Sequence, residues 1–264
     1  MELIQLRGTD LALAASLVVI SALLSQLLSL GLTRGIAWAA CRTVVQLLLV
    51  GMVLSFVFTH ASPWLTSLIV LVMMCLAILE VTVRPRVRLL ANGNVWVAAM
   101  AVSAATFVTV AFILSTALRP DPWYDPRYVI ALVGIVLGSV LNAASICMDS
   151  MLSGVRHDQA AIEARLALGD SPRIAFSALI AVSVRRGVLP SINQMSAAGI
   201  ITLPGIMTGQ IIAGMDPLNA VKYQILVMFL LCGASTLASI CSAYAILRRV
   251  TDDRARLRLD RLTF

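Results

Sequence analysis

The residues that could do chemistry in this chain are few, and most are polar groups inside apolar runs. Arg42 stands about six residues into a run that begins at Ile36, roughly 9 Å in at the helical rise. Gln46 follows one helical turn later on the same face. A charge at mid-membrane costs about 2.5–3.5 kcal/mol on insertion scales. Arg42 either snorkels to the headgroups or faces a path through the protein. In a path it would repel a bare metal cation and suit an anionic chelate or a phosphate-bearing solute. A second polar group lies between Val188 and Ala213, where Asn193, Gln194, Thr208 and Gln210 share a run with Met207. Pro204 removes a backbone hydrogen bond in the middle of that run, and broken helices at membrane depth survive only within protein or along a cavity. Gly205 and Gly209, like Gly134 and Gly138, have the GxxxG spacing that lets helices approach closely. Asn142, in the preceding run, is suited to a helix–helix hydrogen bond or to the path. The candidate pathway set is therefore Arg42, Gln46, Asn142, Asn193, Gln194, Pro204, Met207, Thr208 and Gln210.

Catalytic chemistry has little to work with. The sole lysine, Lys222, sits between Val221 and Tyr223, so no Gly-Lys-Ser/Thr loop exists to hold a nucleotide's phosphates. His60 and His157 are the two histidines, which leaves few places for a Ser-His-Asp arrangement. No catalytic residue is assigned, and no metal ligand is identified. The five cysteines lie in apolar stretches without CxxC spacing and read as buried, inert thiols. The eleven methionines are scattered. Soft thioethers would favour copper(I) over iron, and packing is the simpler role for them.

The elements that must carry these residues are membrane helices. Hydrophobic residues make up 60% of the 264 and charged ones 12%, with mean hydropathy +0.95. Soluble domains hold about 25% charged residues, so a soluble enzyme is excluded. A spanning helix needs about 20 apolar residues. Seven stretches qualify: 11–31, 36–58, 64–79, 95–118, 128–148, the interrupted 188–213, and 223–247. The first is too long, and lacks the basic leader, for a cleaved signal peptide. The fold class is all-α, polytopic, in one membrane domain over 1–264.

Orientation follows from the arginines. With the N-terminus outside, the inner segments hold fifteen basic residues and the outer ones four: Arg7, Arg119, Arg127 and Lys222. The positive-inside rule then places the C-terminus in the cytosol. Asp121, Pro122, Trp123 and Tyr124 would form an outer turn with interfacial aromatics. Residues 248–264 would be a basic cytosolic tail. The net charge of +7 is thus a membrane signature, and no nucleic-acid partner is expected. Glu80 and Arg84 have the i,i+4 spacing of a helix-end ion pair, and no carboxylate sits in mid-span to suggest a proton-coupled carrier.

One connection, 149–187, does not read as an ordinary loop. Residues 158–168 are good helix formers, and Gly169 is a natural stop. Ser171 can cap a next helix with Pro172 at its first position. That helix would run towards Gly187 along the membrane surface, with Ile174, Ala175, Ala178, Leu179 and Val182 as its apolar face and Arg185 and Arg186 among the headgroups. The segment is either an interfacial elbow feeding the next span or a coupling helix that docks into a cytosolic partner.

Four stretches carry a resemblance. They are Thr202 to Pro217, with LPGIMTG and DP, continuing into Ala220-Val221-Lys222-Tyr223-Gln224; Arg42 with Val45-Gln46-Leu47; Gly134 to Asn142; and Leu166 to Pro172. Over residues 36–248 the chain resembles the FetB (UPF0014) family of ABC-transporter permeases. Ser139 departs from the Asn that many members carry. The resemblance implies a half-size permease in the inner (plasma) membrane, working as a homodimer with a separate ABC ATPase that binds ATP and magnesium. This chain itself would need no cofactor. It further implies export of iron or a related metal species, with links to metal homeostasis and oxidative-stress resistance. Plant relatives point instead to aluminium tolerance and an anionic organic solute such as a nucleotide sugar. A non-transporting membrane scaffold is the remaining alternative. Glu163, Gly169, Asp170, Ser171 and Pro172 resemble the loop by which such permeases contact their ATPase.

Overall fold

A computed structural model describes residues 8–60, 62–118, 122, 125–252 and 254–263. Six of its helices are long and apolar enough to cross a membrane, and the chain is an all-α multi-pass membrane protein. It divides into two compact units, 1–61 and 62–264. Of the expected outer turn, Asp121, Trp123 and Tyr124 lie outside the described residues, as do Arg7 and Arg119.

The first unit is a helical pair, α1 (Gly8–Leu27) and α2 (Thr33–His60). The turn between them passes through Ser29 at φ 53° and Gly31 at φ 70°. Ser25, buried in α1, accepts the Leu32 N–H at 3.1 Å, and the Thr33 hydroxyl donates to the Ala22 carbonyl at 3.2 Å. Ser25 and Val57 are the buried residues of the two helices. Helices apolar on every side suit a lipid surround.

The second unit packs α3 (Pro63–Val83), α4 (Gly93–Ile113, ending in a π turn at Leu114–Leu118), α5 (Pro126–His157), α8 (Ser177–Ala197) and α10 (Pro217–Val250). Its core runs along α5, with Val133, Val140, Ala144, Met148 and Met151 against Val97 and Val102 of α4 and Ala234, Ala238 and Ile246 of α10. Small and hydroxylated residues bring α5, α8 and α10 together, as expected where apolar burial offers no preference over lipid. Ser191 and Ser235 share a hydrogen bond of 2.7 Å, Ser183 donates to Ser150 at 3.0 Å, and the Cys147 thiol donates to the Ser239 carbonyl at 3.2 Å. Gly187 marks the closest crossing. A Cβ there would collide with the Ser239 hydroxyl and stand 2.8 Å from the Ala143 carbonyl oxygen.

These pairs fix the register. Helix α8 rises antiparallel to both α5 and α10, starting from the end where α5 and α10 finish. That end gathers the arginines of the α3–α4 connection, of α6 (Gln159–Ala167) and α7 (Pro172–Ala175), and of the C-terminal segment. The basic tail is folded rather than loose: β2 (Leu262–Thr263) pairs antiparallel with β1 (Arg88–Leu89), and Leu262 is buried in the core beside Val87 and Leu89. Buried Asn94 ties down the same corner, accepting the Leu89 N–H at 3.1 Å and donating to the Thr82 carbonyl at 3.3 Å.

Two expectations need correction. The interruption expected within 188–213 is present but starts before Pro204: α8 ends at Ala197, and after a non-helical segment α9 (Gly205–Ile212) begins. Nor does a surface helix run from Pro172 to Gly187. Helix α7 is one turn, Phe176 is fully buried, and α8 climbs along α5 from its first turns. Leu179 presses on Gly154, while Ile174, Ala178 and Val182 of the expected apolar face are exposed.

Candidate functional site

Along α5, Asn142, Ser145, Asp149 and Ser153 recur at three- and four-residue spacing and form a polar stripe. The end of α3 and the middle of α8 flank it. Arg84, following α3, donates from Nη1 to Asn142 Oδ1 at 3.2 Å and pairs with Glu80 at 3.6 Å. The Arg86 N–H donates to Asp149 Oδ1 at 3.0 Å. From α8, Arg186 Nη1 donates to the Ser150 hydroxyl at 3.2 Å. Between them lies a cavity of about 310 Å³ lined by Arg84, Ser145, Ile146, Asp149, Ser150 and Arg186. A second, of about 340 Å³, shares Ser150 and Arg186 and extends past Gly154 to His157 and Asp158 at the end of α5.

Depth can be read from the register. The apolar stretch of α10 is centred near Ser235, so Ser191, bonded to it, lies near mid-bilayer. Arg186 is five residues below Ser191, only about 7 Å from that plane at the helical rise. Half the hydrocarbon core is about 15 Å. The Arg186 backbone therefore lies within the apolar slab, while its guanidinium reaches down to Ser150, level with Ser183 and about 12 Å below that plane; the Arg84 guanidinium reaches Asn142. Neither was singled out as a pathway residue from the sequence. Arg186 sits next to Arg185 at the edge of an apolar run, and only the pairing of α8 with α10 shows how far into the membrane it lies.

The other end of α8 carries the break. Ala197 is six residues beyond Ser191, about 9 Å past the midplane, so the interruption at 198–204 falls inside the hydrocarbon. Ala198 bridges to Thr202, and Gly199 takes φ 84°. Pro204 caps α9, where the Thr208 hydroxyl donates back to the Pro204 carbonyl at 3.2 Å. Asn193 and Gln194 are exposed and Met207 is half-buried. The Gln210 Oε1 is buried and has no hydrogen-bond partner among the described residues. Of the pathway residues expected from sequence, the structure joins Asn142 to Arg84 and gathers the rest of the second unit's set around the break. Of the four GxxxG glycines, Gly134 alone is a position where an added Cβ would meet a neighbour, the Met73 side chain at 3.3 Å. Arg42 and Gln46 belong to the 1–61 unit and are exposed one turn apart on α2. Because α2 begins at Thr33, Arg42 is about 14 Å from its start, in the body of the helix.

The elbow is built as its residues dictate. Gly169, at φ 96°, ends α6 in a Schellman turn. Its N–H donates to the Leu166 carbonyl at 3.1 Å, and the Asp170 N–H donates to the Arg165 carbonyl at 3.1 Å. The Asp170 carboxylate holds Arg165 at 2.9 Å. Ser171 stands at the cap with Pro172 after it, but its hydroxyl makes no capping bond. Glu163 is exposed and accepts from Gln159 at 3.2 Å. At the tip, Leu168 is 87% exposed. The elbow thus presents an apolar knob on a rigid turn anchored by buried Ile162 and Phe176.

No group of three or more potential metal-ligating His, Cys, Asp or Glu residues occurs among the described residues. Two clusters carry the polar chemistry: the arginine-flanked groove on α5, and the break between α8 and α9.

Comparison with known proteins places the chain among membrane proteins. Residues 8–251 match the uncharacterised protein family UPF0014. A UPF0014 membrane protein of Synechocystis is 34% identical over 97% of this chain and 98% of its own length. The probable iron export permease protein FetB of Escherichia coli is 32% identical over 94% of this chain and 93% of its own. The UPF0014 membrane protein STAR2 of rice is 36% identical over 88% of this chain and 79% of its own. No solved structure matches.

Proposed function

The chain belongs to the UPF0014 family, and on that footing we propose that it is the permease subunit of an ATP-driven ABC transporter that exports iron or a related metal species. The single observation that carries the transport reading is the break at 198–204, inside the hydrocarbon. The turn bonds the N–H groups of Ala198, Gly199, Ile201 and Thr202 internally; the backbone groups left over cannot be satisfied by lipid and must line a cavity or be covered by protein. Its flanks carry Asn193, Gln194 and Gln210. The metal reading follows the name of the Escherichia coli relative. The arginine-rich end of the second unit is cytosolic by the positive-inside rule.

Energy comes from a separate ATPase, which holds ATP and magnesium. The elbow Glu163–Pro172 is the contact. Leu168 offers an apolar knob to a pocket, and the Gly169 turn transmits displacement through Phe176 into α8. Because α8 is clamped at Gly187 and Ser191 but interrupted beyond Ala197, motion entering at the elbow is relieved at the break. Two copies of the chain with two ATPases complete the assembly. Alternating access then moves cargo from the α5 groove to the far side.

The test is ATP-dependent iron accumulation in inverted vesicles carrying the chain and its cognate ATPase, with a hydrolysis-dead ATPase as control. Accumulation above the control is expected. Its absence, with the ATPase bound and active, overturns the metal assignment and moves the search to anionic organic solutes. Arg42, about 14 Å into α2, favours that second reading, and Arg42→Gln would then abolish transport of the anion. If Asn193, Gln194, Thr208 and Gln210 can all become Leu or Ala without loss of any transport, the chain is a scaffold instead.

A further inference from the structure

We propose that Arg84, Arg186, Ser145 and Ser150 form a binding site for a phosphate-type oxyanion at the arginine-rich end of α5, with Asn142 holding Arg84 in place. The inference deepens the permease reading and rests on it for the site's role in transport, though not for the binding itself.

A guanidinium in the apolar slab is retained where it meets a counter-charge or a ligand. Among the described residues Arg186 has no carboxylate partner, and its one recorded bond runs to the neutral Ser150 hydroxyl. Ser150 is itself occupied by the Ser183 hydroxyl. Arg84 is held by neutral Asn142, with Glu80 at 3.6 Å. Asp149, the carboxylate lining the cavity, accepts the Arg86 N–H at 3.0 Å. Each guanidinium carries five N–H donors, so most of those facing the cavity are uncommitted to a carboxylate. Ser145 also lines the cavity. It is 4% exposed, and its hydroxyl is buried without a hydrogen-bond partner. A buried hydroxyl left unpaired is costly, and a ligand oxygen would satisfy it.

Two arginines, two serines and the Asp149 carboxylate line about 310 Å³; the two positive groups outnumber the one negative, and their forked donors match a tetrahedral or planar oxyanion, which takes bidentate bonds from arginine. A bare divalent cation would meet two positive groups instead. Two sources offer this chemistry: a soluble solute or chelate bearing phosphate or carboxylate, and an anionic lipid headgroup.

The experiment uses the full chain in nanodiscs of phosphatidylcholine, titrated with inorganic phosphate against chloride at constant ionic strength. A saturable rise in Tm is expected, abolished in Arg84→Gln and Arg186→Gln and weakened about tenfold in affinity by Ser145→Ala. Arg127→Gln, at the opposite end of α5, should leave it unchanged. Arg186→Lys keeps the charge without the fork, so it should fold normally and bind more weakly. In parallel, nanodiscs containing phosphatidylglycerol are analysed by native mass spectrometry for retained lipid. A phosphate response supports a soluble oxyanion. Phosphatidylglycerol retention lost in the glutamine variants, without a phosphate response, supports a headgroup. If folded protein shows neither, the site is overturned. Phosphate binding alongside a failed vesicle assay would refute the transport role and leave the site standing.

Discussion

Gly187→Ala is the substitution with the clearest consequence in this fold. The added methyl would stand 2.8 Å from the Ala143 carbonyl oxygen, 3.2 Å from the Cys147 Cβ, and on top of the Ser239 hydroxyl. Ser239 is fully buried, so its hydroxyl cannot swing out to solvent. The Ala143 oxygen belongs to the α5 backbone and yields only if two helices separate. Overpacking of this kind costs about 1–3 kcal/mol. At roughly 2–4 °C per kcal/mol for a chain of this size, thermal unfolding in nanodiscs should fall by several degrees. Adding Ser239→Ala should recover part of the loss, because it removes one of the two clashes and leaves the carbonyl. Gly138→Ala is the matched control. A Cβ there meets nothing within 4 Å, and a mid-helix Gly-to-Ala change gains up to about 1 kcal/mol. Equal Tm values for Gly187→Ala and the native chain would mean that α8 does not cross α5 and α10 at this point. The depths of Arg186 and of the break would then both be withdrawn.

Gly169→Val forces a β-branched residue to φ 96°, a strain of about 1–2 kcal/mol. It should leave the protein folded but uncouple ATP hydrolysis from transport, as should a bulky residue at Ser171. Undiminished transport would refute the elbow as the coupling element. Leu168→Asp, at the exposed tip, should weaken co-purification of the ATPase while leaving Tm unchanged. Deleting residues 252–264 uncovers Val87 and Leu89 and removes buried Leu262, whose burial is worth about 1.5–3 kcal/mol, so Tm should drop. The tail should also respond to acid. The Arg258 side chain bonded to Asp260 lowers its carboxyl to about 2, and the backbone N–H of Arg256 lowers that of Asp252. Both folded values lie below the ordinary 3.8, so their contribution is complete above about pH 4 and lost as pH falls towards 2. The Asp260 side chain is 60% exposed, so its effect is small, while the Asp252 side chain is largely covered. Amide exchange in the tail should stay constant from pH 7 to 5 when corrected for intrinsic rate, and quicken below 4.

What could be read from the sequence, and what could not, divides by the range of the interaction responsible. Apolar runs set the spans, and α2, α3 and α10 bracket their expected stretches because helix content at that hydropathy needs only local backbone bonding in a dry solvent. Gly169 and Pro172 set the elbow for the same reason: a left-handed residue and a fixed φ act on their own neighbours. The depth of Arg186 was not legible. Its position along the chain, beside Arg185 and before Val188, is what a headgroup anchor would have. Its position in the membrane is decided by Gly187 and Ser191 meeting Ser239 and Ser235, some forty to fifty residues away. Arg84 shows the same limit from the other side. The i,i+4 pairing with Glu80 was correct and accounted for the charge well enough to end the search there. The bond that gives Arg84 a role in the α5 groove runs to Asn142, a residue the sequence had marked for helix packing or the path. The two guanidinium groups beside the α5 groove are therefore visible as residues but not as a pair, since α3 and α8 bring them together only by packing against one stripe of α5.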